Sequence, residues 1–228
     1  MNLSLLRQDI ETTSRHGLIY TRNPDGKPRT FTPWLGDLFS FLYDPIMEKS
    51  IFPKKFGADM SLHYEVLRSA LKDTHDLSVL ELASGTGCAV NFLPPDNNYV
   101  GIDISPGLLA RARRNFRQSG FNDVTLVVAS AADLPLANLA FDLCLCIASL
   151  NFFGDPRPVL REVERVLKPA GRFLCAVPVP ERNLRGSVIR GELHTVEELE
   201  NMCRESGLTY RELPVQNGAL LYFEAMKA

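Results

Sequence analysis

Short apolar runs alternate with amphipathic stretches between about residues 78 and 177. The runs have few polar positions, which is typical of strands in a parallel sheet that is covered on both faces. The stretches between them carry apolar residues at helical spacing, as in βαβ units. The predicted strands are residues 78–83, 99–103, 124–128, 141–148 and 171–177.

Local capping signals mark three of the predicted helices. A Ser-Pro pair at position 105 and an Asp-Pro pair at position 155 each place a polar N-cap before a proline at the first helical position. They predict helices over residues 106–118 and from 156 to about 168. Thr195 and Glu198 have the spacing of a capping box, which predicts a helix that ends near residue 205.

The C-terminal segment departs from the βαβ alternation. Residues 208–215 and 219–226 are strand-like, and the Asn217-Gly218 pair near their junction favours a tight antiparallel turn. Together with the five parallel strands, they predict an α/β fold. We expect a Rossmann-like, doubly wound, seven-stranded and mostly parallel sheet with a C-terminal antiparallel hairpin and an N-terminal cap.

The first 60 residues do not share this alternation. A small hairpin is expected around residues 23–26, and residues 34–47 form an aromatic-rich stretch with apolar positions at helical spacing. We therefore expect residues 1–60 to form a cap that covers the substrate. Residues 61–228 are expected to form the ligand-binding α/β domain.

Composition narrows the function classes. With 25 basic and 27 acidic residues the net charge is -2, which gives no overall attraction for nucleic acid. The five cysteines form no Cys-x-x-Cys pair and have no histidine at ligand spacing, so we expect free thiols and no metal site. No apolar run approaches the roughly 18 residues that span a bilayer, and the first ten residues lack a signal-peptide core. We expect a cytoplasmic protein and leave its oligomeric state open.

The stretch VLELASGTG, residues 79–87, places a carboxylate in an apolar strand just before a loop of small residues. In an open parallel sheet, ligands bind beyond the carboxyl ends of the strands, near the point where the winding reverses. Gly85 and Gly87 allow a ligand to approach the backbone, and the N–H groups of a following helix would face an anion. Glu81 would repel a pyrophosphate but attract an ammonium or sulfonium group.

A second acid favours a ligand that contains a ribose. Asp103 ends the second predicted strand, 18 residues after Gly85, where a carboxylate can accept hydrogen bonds from both ribose hydroxyls. NAD would use such an acid as well. However, Val90 replaces the third glycine of the dinucleotide motif, and Glu81 suits the sulfonium and ammonium groups of S-adenosylmethionine. The residues therefore favour S-adenosylmethionine over NAD.

Four stretches in order carry a resemblance to a known family: VLELASGTG, YVGIDISPGLLARARRN, ASAADLPLANLAFDLCLC and VLREVERVLKPAGRF. The chain resembles the class I S-adenosylmethionine-dependent methyltransferases, particularly the branch that includes ubiquinone and menaquinone biosynthesis enzymes. The resemblance runs from about residue 78 to 177 and more loosely to the end. It implies a methyltransferase that uses S-adenosylmethionine.

The resemblance also implies which residues bind the cofactor. The loop after the first parallel strand would hold the methionine part of the cofactor. The acid after the second strand would bind the ribose. The ends of the next strands would lie near the adenine and the transferred methyl group. The residues that match these positions are Glu81, Ala83, Gly85, Gly87, Asp103, Ile104, Ser130, Ala131 and Ala148.

Three positions depart from the family pattern. Ala83 replaces the usual first glycine of the loop, where a small residue fits if its φ is negative. Ser130 replaces an acid that often accepts from the adenine amino group, and a hydroxyl does so more weakly. Asn151 stands where quinone-type members often have a histidine. The last departure bears on the acceptor molecule and not on the cofactor.

Methyl transfer from a sulfonium needs alignment more than it needs a catalytic residue, because the leaving group is already activated. A base helps when the nucleophile must lose a proton, and the candidates are His63, Tyr43 and His194. The alternative for His63 is a capping or surface histidine, and for Tyr43 it is core packing. Candidate substrate contacts are Asn151, Phe152 and Tyr43.

We expect a methyltransferase that acts on a small, partly apolar molecule, because the N-terminal segment supplies many aromatic residues and no basic cluster. An RNA or protein methyltransferase is the first alternative, and it would need a basic or grooved surface. A non-catalytic partner subunit that binds S-adenosylmethionine is the second, since no residue is an obvious base.

Overall fold

We analysed a computed structural model of the chain, in which residues 5–31 and 44–228 are described. The predicted parallel strands form with small changes at their ends, as β3 Ser78–Leu82, β4 Asn98–Asp103, β5 Val124–Val128, β6 Phe141–Ile147 and β7 Leu167–Pro178. Their apolar character is explained by burial, because one hydrophobic cluster packs on each face of the sheet.

The sheet has nine strands within the described residues, in the order β1-β2-β5-β4-β3-β6-β7-β9-β8. The additional N-terminal strands are β1 Thr12–Arg15 and β2 Leu18–Thr21, and the C-terminal pair is β8 Leu208–Glu212 and β9 Leu220–Lys227. All pairs from β2 to β7 are parallel, and β1, β8 and β9 pair in antiparallel fashion. The predicted fold class is confirmed, with nine strands in place of seven.

The two extra strands come from the N-terminal segment. β1 and β2 form a hairpin that turns at His16 and Gly17, and β2 then pairs in parallel with β5 through Ile19 and Val127. The expected turn at residues 23–26 is also present, since the N–H of Gly26 donates to the carbonyl of Asn23 at 2.8 Å. Part of this segment therefore extends the sheet edge.

Helices cover both faces of the sheet, and the caps at Ser105 and Thr195 are confirmed, whereas the helix after the Asp-Pro pair starts at Arg157 with Pro156 as N-cap and no side-chain cap hydrogen bond. The helices are α1 Met60–Leu71, α2 Pro106–Gln118, α3 Arg157–Val166 and α4 Val196–Glu205, with a π-helix over Met47–Phe56. The Ser105 hydroxyl accepts from the N–H of Leu108, and Thr195 and Glu198 form the predicted capping box. No helix in the described ranges is both long and apolar enough to cross a membrane.

The expected 34–47 helix lies mostly outside the described residues, which resume at Asp44 in a helical turn leading into the π-helix. The C-terminal hairpin forms, although β8 ends at Glu212 and its connection to β9 is longer than a tight turn. Within this connection, the side chain of Asn217 bonds to the backbone N–H and carbonyl of Asp59 at the start of α1. The connection thereby joins β9 to α1.

Candidate functional site

A cleft of about 280 Å³ opens beyond the carboxyl end of β3. It lies where the winding reverses, because the chain runs from β3 to β4 and β5 on one side and then returns to β6 on the other. Two chemically different groups of residues line it. The loop group is Glu81 with residues 83–87, and the aromatic group is Met47, Phe52, Met60, His63 and Tyr64.

Glu81 is the only acid of a parallel strand that lines this cleft among the described residues, and its side chain is buried. The hydroxyl of Tyr99, on the neighbouring strand β4, donates to Oε2 of Glu81. Burial raises the pKa of Glu81 to about 8, against the opposing effect of the Tyr99 hydrogen bond. A cation bound in the cleft would favour the ionised form of this carboxyl.

Asp103 shapes the loop through the backbone. Its two carboxylate oxygens accept from the N–H of Gly85 at 2.9 Å and from the N–H of Ser105 at 2.8 Å. A carboxylate oxygen can accept more than one hydrogen bond, so these contacts orient the acid and are compatible with ribose hydroxyls. The predicted ribose acid and the predicted loop are thus in direct contact.

The loop backbone has positive φ angles at three of its positions. Gly85 and Gly87 have φ of 54° and 78°, and Ala83 has φ of 49°. The condition under which a small residue was expected to fit at Ala83, a negative φ, is therefore not met: the loop has the left-handed conformation there, and alanine adopts it at a cost of about 1–2 kcal/mol. Ala148, which also lines the cleft, has φ of 54° at the end of β6.

Gly87 serves packing more than ligand approach. A Cβ at this position would lie 2.7 Å from Cε2 of Phe116 and 3.1 Å from Cβ of Ala112, both on α2. A helix with N–H groups facing an anion was expected after Gly87, and the segment there is a four-residue 3-10 helix, Cys88–Asn91. The loop therefore stays close to α2.

The adenine and substrate candidates occupy different places. Ile104 is 45% exposed at the end of β4, which is unusual for an isoleucine and fits a hydrophobic contact with a planar base. Ser130 is half-buried and accepts from the N–H of Ala132, and Ala131 is buried beside it. None of the three lines the cleft, although all follow strands at the same edge of the sheet.

Asn151 and Phe152 are not brought to the cleft. Asn151 is buried and donates to the carbonyl of Arg190 at 2.6 Å, so it holds a neighbouring loop, while Phe152 is 60% exposed. Tyr43 lies outside the described residues. His194 contacts the carbonyl of Gly154 through Nε2 at 3.0 Å and does not line the cleft.

His63 is brought into the cleft and is 2% exposed. Its Nδ1 lies 2.8 Å from the hydroxyl of Tyr222, and its ring packs at 4.8 Å between centroids on Phe52. Burial lowers the pKa of His63 to about 3. The alternative of a capping or surface histidine is therefore wrong, because α1 turns this residue inward.

The cleft also contains residues that the sequence analysis missed. Asp44 accepts from the Thr86 hydroxyl and lies 3.6 Å from Nη2 of Arg111, which ties the helical turn before the π-helix to the loop and to α2. Cys88 is half-buried, and burial raises the pKa of its thiol well above the usual range, so it stays protonated near neutral pH. Lone residues of this kind carry no spacing signal from which their position could be predicted.

Comparison with known proteins agrees with this geometry. Residues 80–175 match a family model described as a methyltransferase domain. The chain is 39% identical over 103 residues to the demethylmenaquinone methyltransferase of Symbiobacterium thermophilum, covering 42% of this chain and 41% of that protein. It is 33% identical over 178 residues to the protein of that name from Thermus thermophilus, covering 76% of this chain and 80% of that one.

A solved S-adenosylmethionine-dependent methyltransferase of Thermotoga maritima has the same fold, with a TM-score of 0.60 and 22% identity. The match covers 85% of this chain and 99% of that one. The shared fold, the match to the methyltransferase model and the long alignment with the Thermus protein agree with the carboxylate, the small-residue loop and the ribose acid described above. The chain belongs to the class I S-adenosylmethionine-dependent methyltransferases, enzymes whose cofactor is S-adenosylmethionine.

Proposed function

We propose that the protein transfers the methyl group of S-adenosylmethionine to a small, partly apolar molecule that carries an aromatic ring. The observation that carries this proposal is the division of one cleft into the loop group and the aromatic group, with Ala148 and Ser149 of the β6 end also lining it. The loop group would hold the methionine part of the cofactor. The aromatic group would hold the acceptor by apolar contact.

The charge of the cleft supports a small-molecule acceptor. Asp44, Glu48 and Glu81 line it, and no lysine or arginine is among the lining residues within the described part of the chain. A nucleic acid acceptor would need positive charge near its phosphates. The location we propose is the cytoplasm, which is consistent with five free cysteines in the chain.

The printed names of the two relatives favour a finer proposal, in which the acceptor is a quinol or a related phenol. An electron-rich phenolic ring suits the aromatic group and offers either an oxygen or a ring carbon as the nucleophile. Proximity and alignment with the sulfonium would supply most of the rate, because the leaving group needs no activation.

A labelled-methyl assay tests the proposal. The purified protein is incubated with S-adenosylmethionine that carries a labelled methyl group, and with an alkylated hydroquinone, a phenol, an alkylamine, a thiol or total RNA. We expect label in the hydroquinone or the phenol. Label only in the alkylamine, the thiol or RNA, or no transfer to any acceptor, would contradict the proposal.

A pair of methionine variants tests which residues bind the acceptor. Met60→Ala shortens the side chain of one cleft residue, a methionine that belongs to the aromatic group as defined above. Met226→Ala makes the same change at a position on β9 that is 44% exposed and outside the cleft. We expect Met60→Ala to raise the KM of the acceptor by about 3- to 10-fold with little change in cofactor binding. Equal effects of the two changes would count against this placement. Deletion of the N-terminal segment is less informative, because Phe52 and Phe56 belong to the core.

A further inference from the structure

A chain of buried polar groups runs from the start of α1 to the cleft. The side chain of Asn217 makes two bonds with the backbone of Asp59: Oδ1 accepts from its N–H at 2.8 Å, and Nδ2 donates to its carbonyl at 3.0 Å. If the amide oxygen and nitrogen exchanged places, the amide N–H groups would face the N–H of Asp59 and the amide oxygen would face its carbonyl. Neither hydrogen bond could then form. The orientation of this amide is therefore fixed by the backbone.

The fixed amide sets the role of the next group, the hydroxyl of Tyr222. Nδ2 of Asn217 lies 3.0 Å from this hydroxyl and can only donate to it. The other neighbour within hydrogen-bond distance among the described residues is Nδ1 of His63, at 2.8 Å. Tyr222 is completely buried, and burial raises the pKa of its hydroxyl to about 12, so it retains a proton that needs an acceptor. That acceptor is Nδ1 of His63.

The state of His63 follows from this acceptor role. A neutral imidazole that accepts at Nδ1 carries its hydrogen on Nε2. Protonation at Nδ1 would break the bond with Tyr222 and bury a charge, and burial alone accounts for the low pKa of His63. The titratable groups that share the cleft or touch the ring are Asp44, Glu48, Tyr64, Glu81, Cys88 and Tyr222.

Within residues 5–31 and 44–228, His63 makes a side-chain hydrogen bond through Nδ1 and none through Nε2, and the residue lines the cleft while only 2% of it is exposed. An N–H that lines a cleft and has no protein partner is typically satisfied by a ligand or by water. We propose that His63 positions the molecule that receives the methyl group. It does so by donating a hydrogen bond from Nε2–H to an oxygen of that molecule, and it does not act as a base. This inference rests on the proposed function.

The donor role selects a class of acceptor. An N–H beside the reacting atom stabilises a phenolate, an enolate or a carbonyl oxygen, and it offers nothing to an ammonium or a protonated amine. The proton that a phenolic acceptor loses must leave to solvent or to another group, because neither nitrogen of His63 is free to take it. Phenols and ring carbonyl compounds are therefore favoured over amines.

Nuclear magnetic resonance of the full-length protein labelled with ¹⁵N tests the state of His63 without any acceptor. We expect the Nε2–H tautomer, with no titration of the ring between pH 5 and 8. Assignment of the signals uses His63→Gln, which lacks them. The Nδ1–H tautomer, or a titration near the ordinary pKa of about 6.5, would overturn the inference.

Kinetics of three variants test the donor role. The amide nitrogen of glutamine can take the place of Nε2, whereas asparagine places its amide nearer Nδ1 and leucine has no donor. We expect His63→Gln to retain kcat/KM within about 5-fold, and His63→Asn and His63→Leu to lose about 10- to 100-fold, with unchanged binding of S-adenosylhomocysteine. Equal losses in all three variants would overturn the donor role and favour a base.

The failure of this inference can be distinguished from that of the proposed function. Turnover of a phenol together with the Nδ1–H tautomer would overturn the donor role alone. The Nε2–H tautomer with no turnover of any phenolic or carbonyl acceptor would overturn the proposed function, and the role of His63 with it.

Discussion

Tyr99 donates a hydrogen bond to Glu81 across the neighbouring strands β4 and β3, and both side chains are buried. Gly101 lies against the ring, since a Cβ at that position would lie 2.8 Å from Oγ of Ser84, 2.9 Å from Cδ2 of Leu126 and 3.0 Å from Cε1 of Tyr99. The bond favours the ionised carboxylate against the burial that opposes it. The two residues together set the protonation state of the acid in the cleft.

Replacing Tyr99 by phenylalanine removes this donor and keeps the ring. The pKa of Glu81 is then expected to rise further, so the carboxylate is less often ionised when the cofactor arrives. We expect Tyr99→Phe to weaken S-adenosylhomocysteine binding at pH 7 by about 3- to 10-fold, measured by calorimetry. The matched control is Tyr210→Phe, whose buried hydroxyl on β8 has no partner within the described residues. A Tyr99→Phe protein that binds like the control would contradict this role.

Cofactor binding should release a proton from Glu81. Its pKa is about 8 in the free protein, so at pH 7 the carboxyl is mostly protonated, and an ammonium group bound nearby would drive it to ionise. Affinity should therefore increase as the pH rises from about 6 to 8. Calorimetry at pH 7 in two buffers of different ionisation enthalpy should show release of about 0.5–1 proton. Glu81→Gln should show none, and a wild-type protein that releases none would contradict the assignment.

Much of the fold could be predicted from the sequence because its causes are local or periodic. Buried parallel strands require apolar runs, and the caps at Ser105 and Thr195 act within one helical turn. The β1–β2 hairpin escaped prediction because its strands have four residues each and are held by long-range pairing with β5. The π-helix, with Pro53 inside it, gave no clear helical pattern.

The site was predicted less completely than the fold, for a physical reason. Glu81, Asp103 and the glycines could be found because they follow strands in a fixed topology. The φ of Ala83 and the inward position of His63 depend on tertiary packing that no local pattern records. His63 in particular owes its state to Asn217, which is 154 residues further along the chain.

The positive φ of Ala83 leads to an unusual stability prediction. Ala83→Gly removes the left-handed strain while it increases the freedom of the unfolded chain, and the two effects nearly cancel. We expect the free energy of unfolding to change by less than about 0.5 kcal/mol. The same substitution at Ala110, an exposed position of α2, should cost about 1 kcal/mol. Denaturant unfolding of both variants checks this, and equal losses would mean that Ala83 is not strained.

Gly87 and Gly120 separate backbone strain from steric clash. Both have a φ near 80°, but a Cβ at Gly87 would meet Phe116 at 2.7 Å, whereas nothing lies within 4 Å at Gly120. We expect Gly120→Ala to cost about 1–2 kcal/mol and Gly87→Ala to cost about 1–3 kcal/mol more. Thermal or denaturant unfolding gives both values. A Gly87→Ala protein no less stable than Gly120→Ala would contradict the packing of the loop against α2.

The central claim is that the Glu81 loop binds S-adenosylmethionine. Calorimetric titration with S-adenosylhomocysteine, after removal of any co-purified ligand, tests it most directly in the wild type, Glu81→Ala and the control Glu65→Ala, which changes an exposed glutamate of α1 outside the cleft. The account predicts binding that Glu81→Ala weakens about tenfold or more and Glu65→Ala leaves unchanged, with no binding of NAD. A wild-type protein that does not bind S-adenosylhomocysteine, or a Glu81→Ala protein that binds it equally well, would contradict the account.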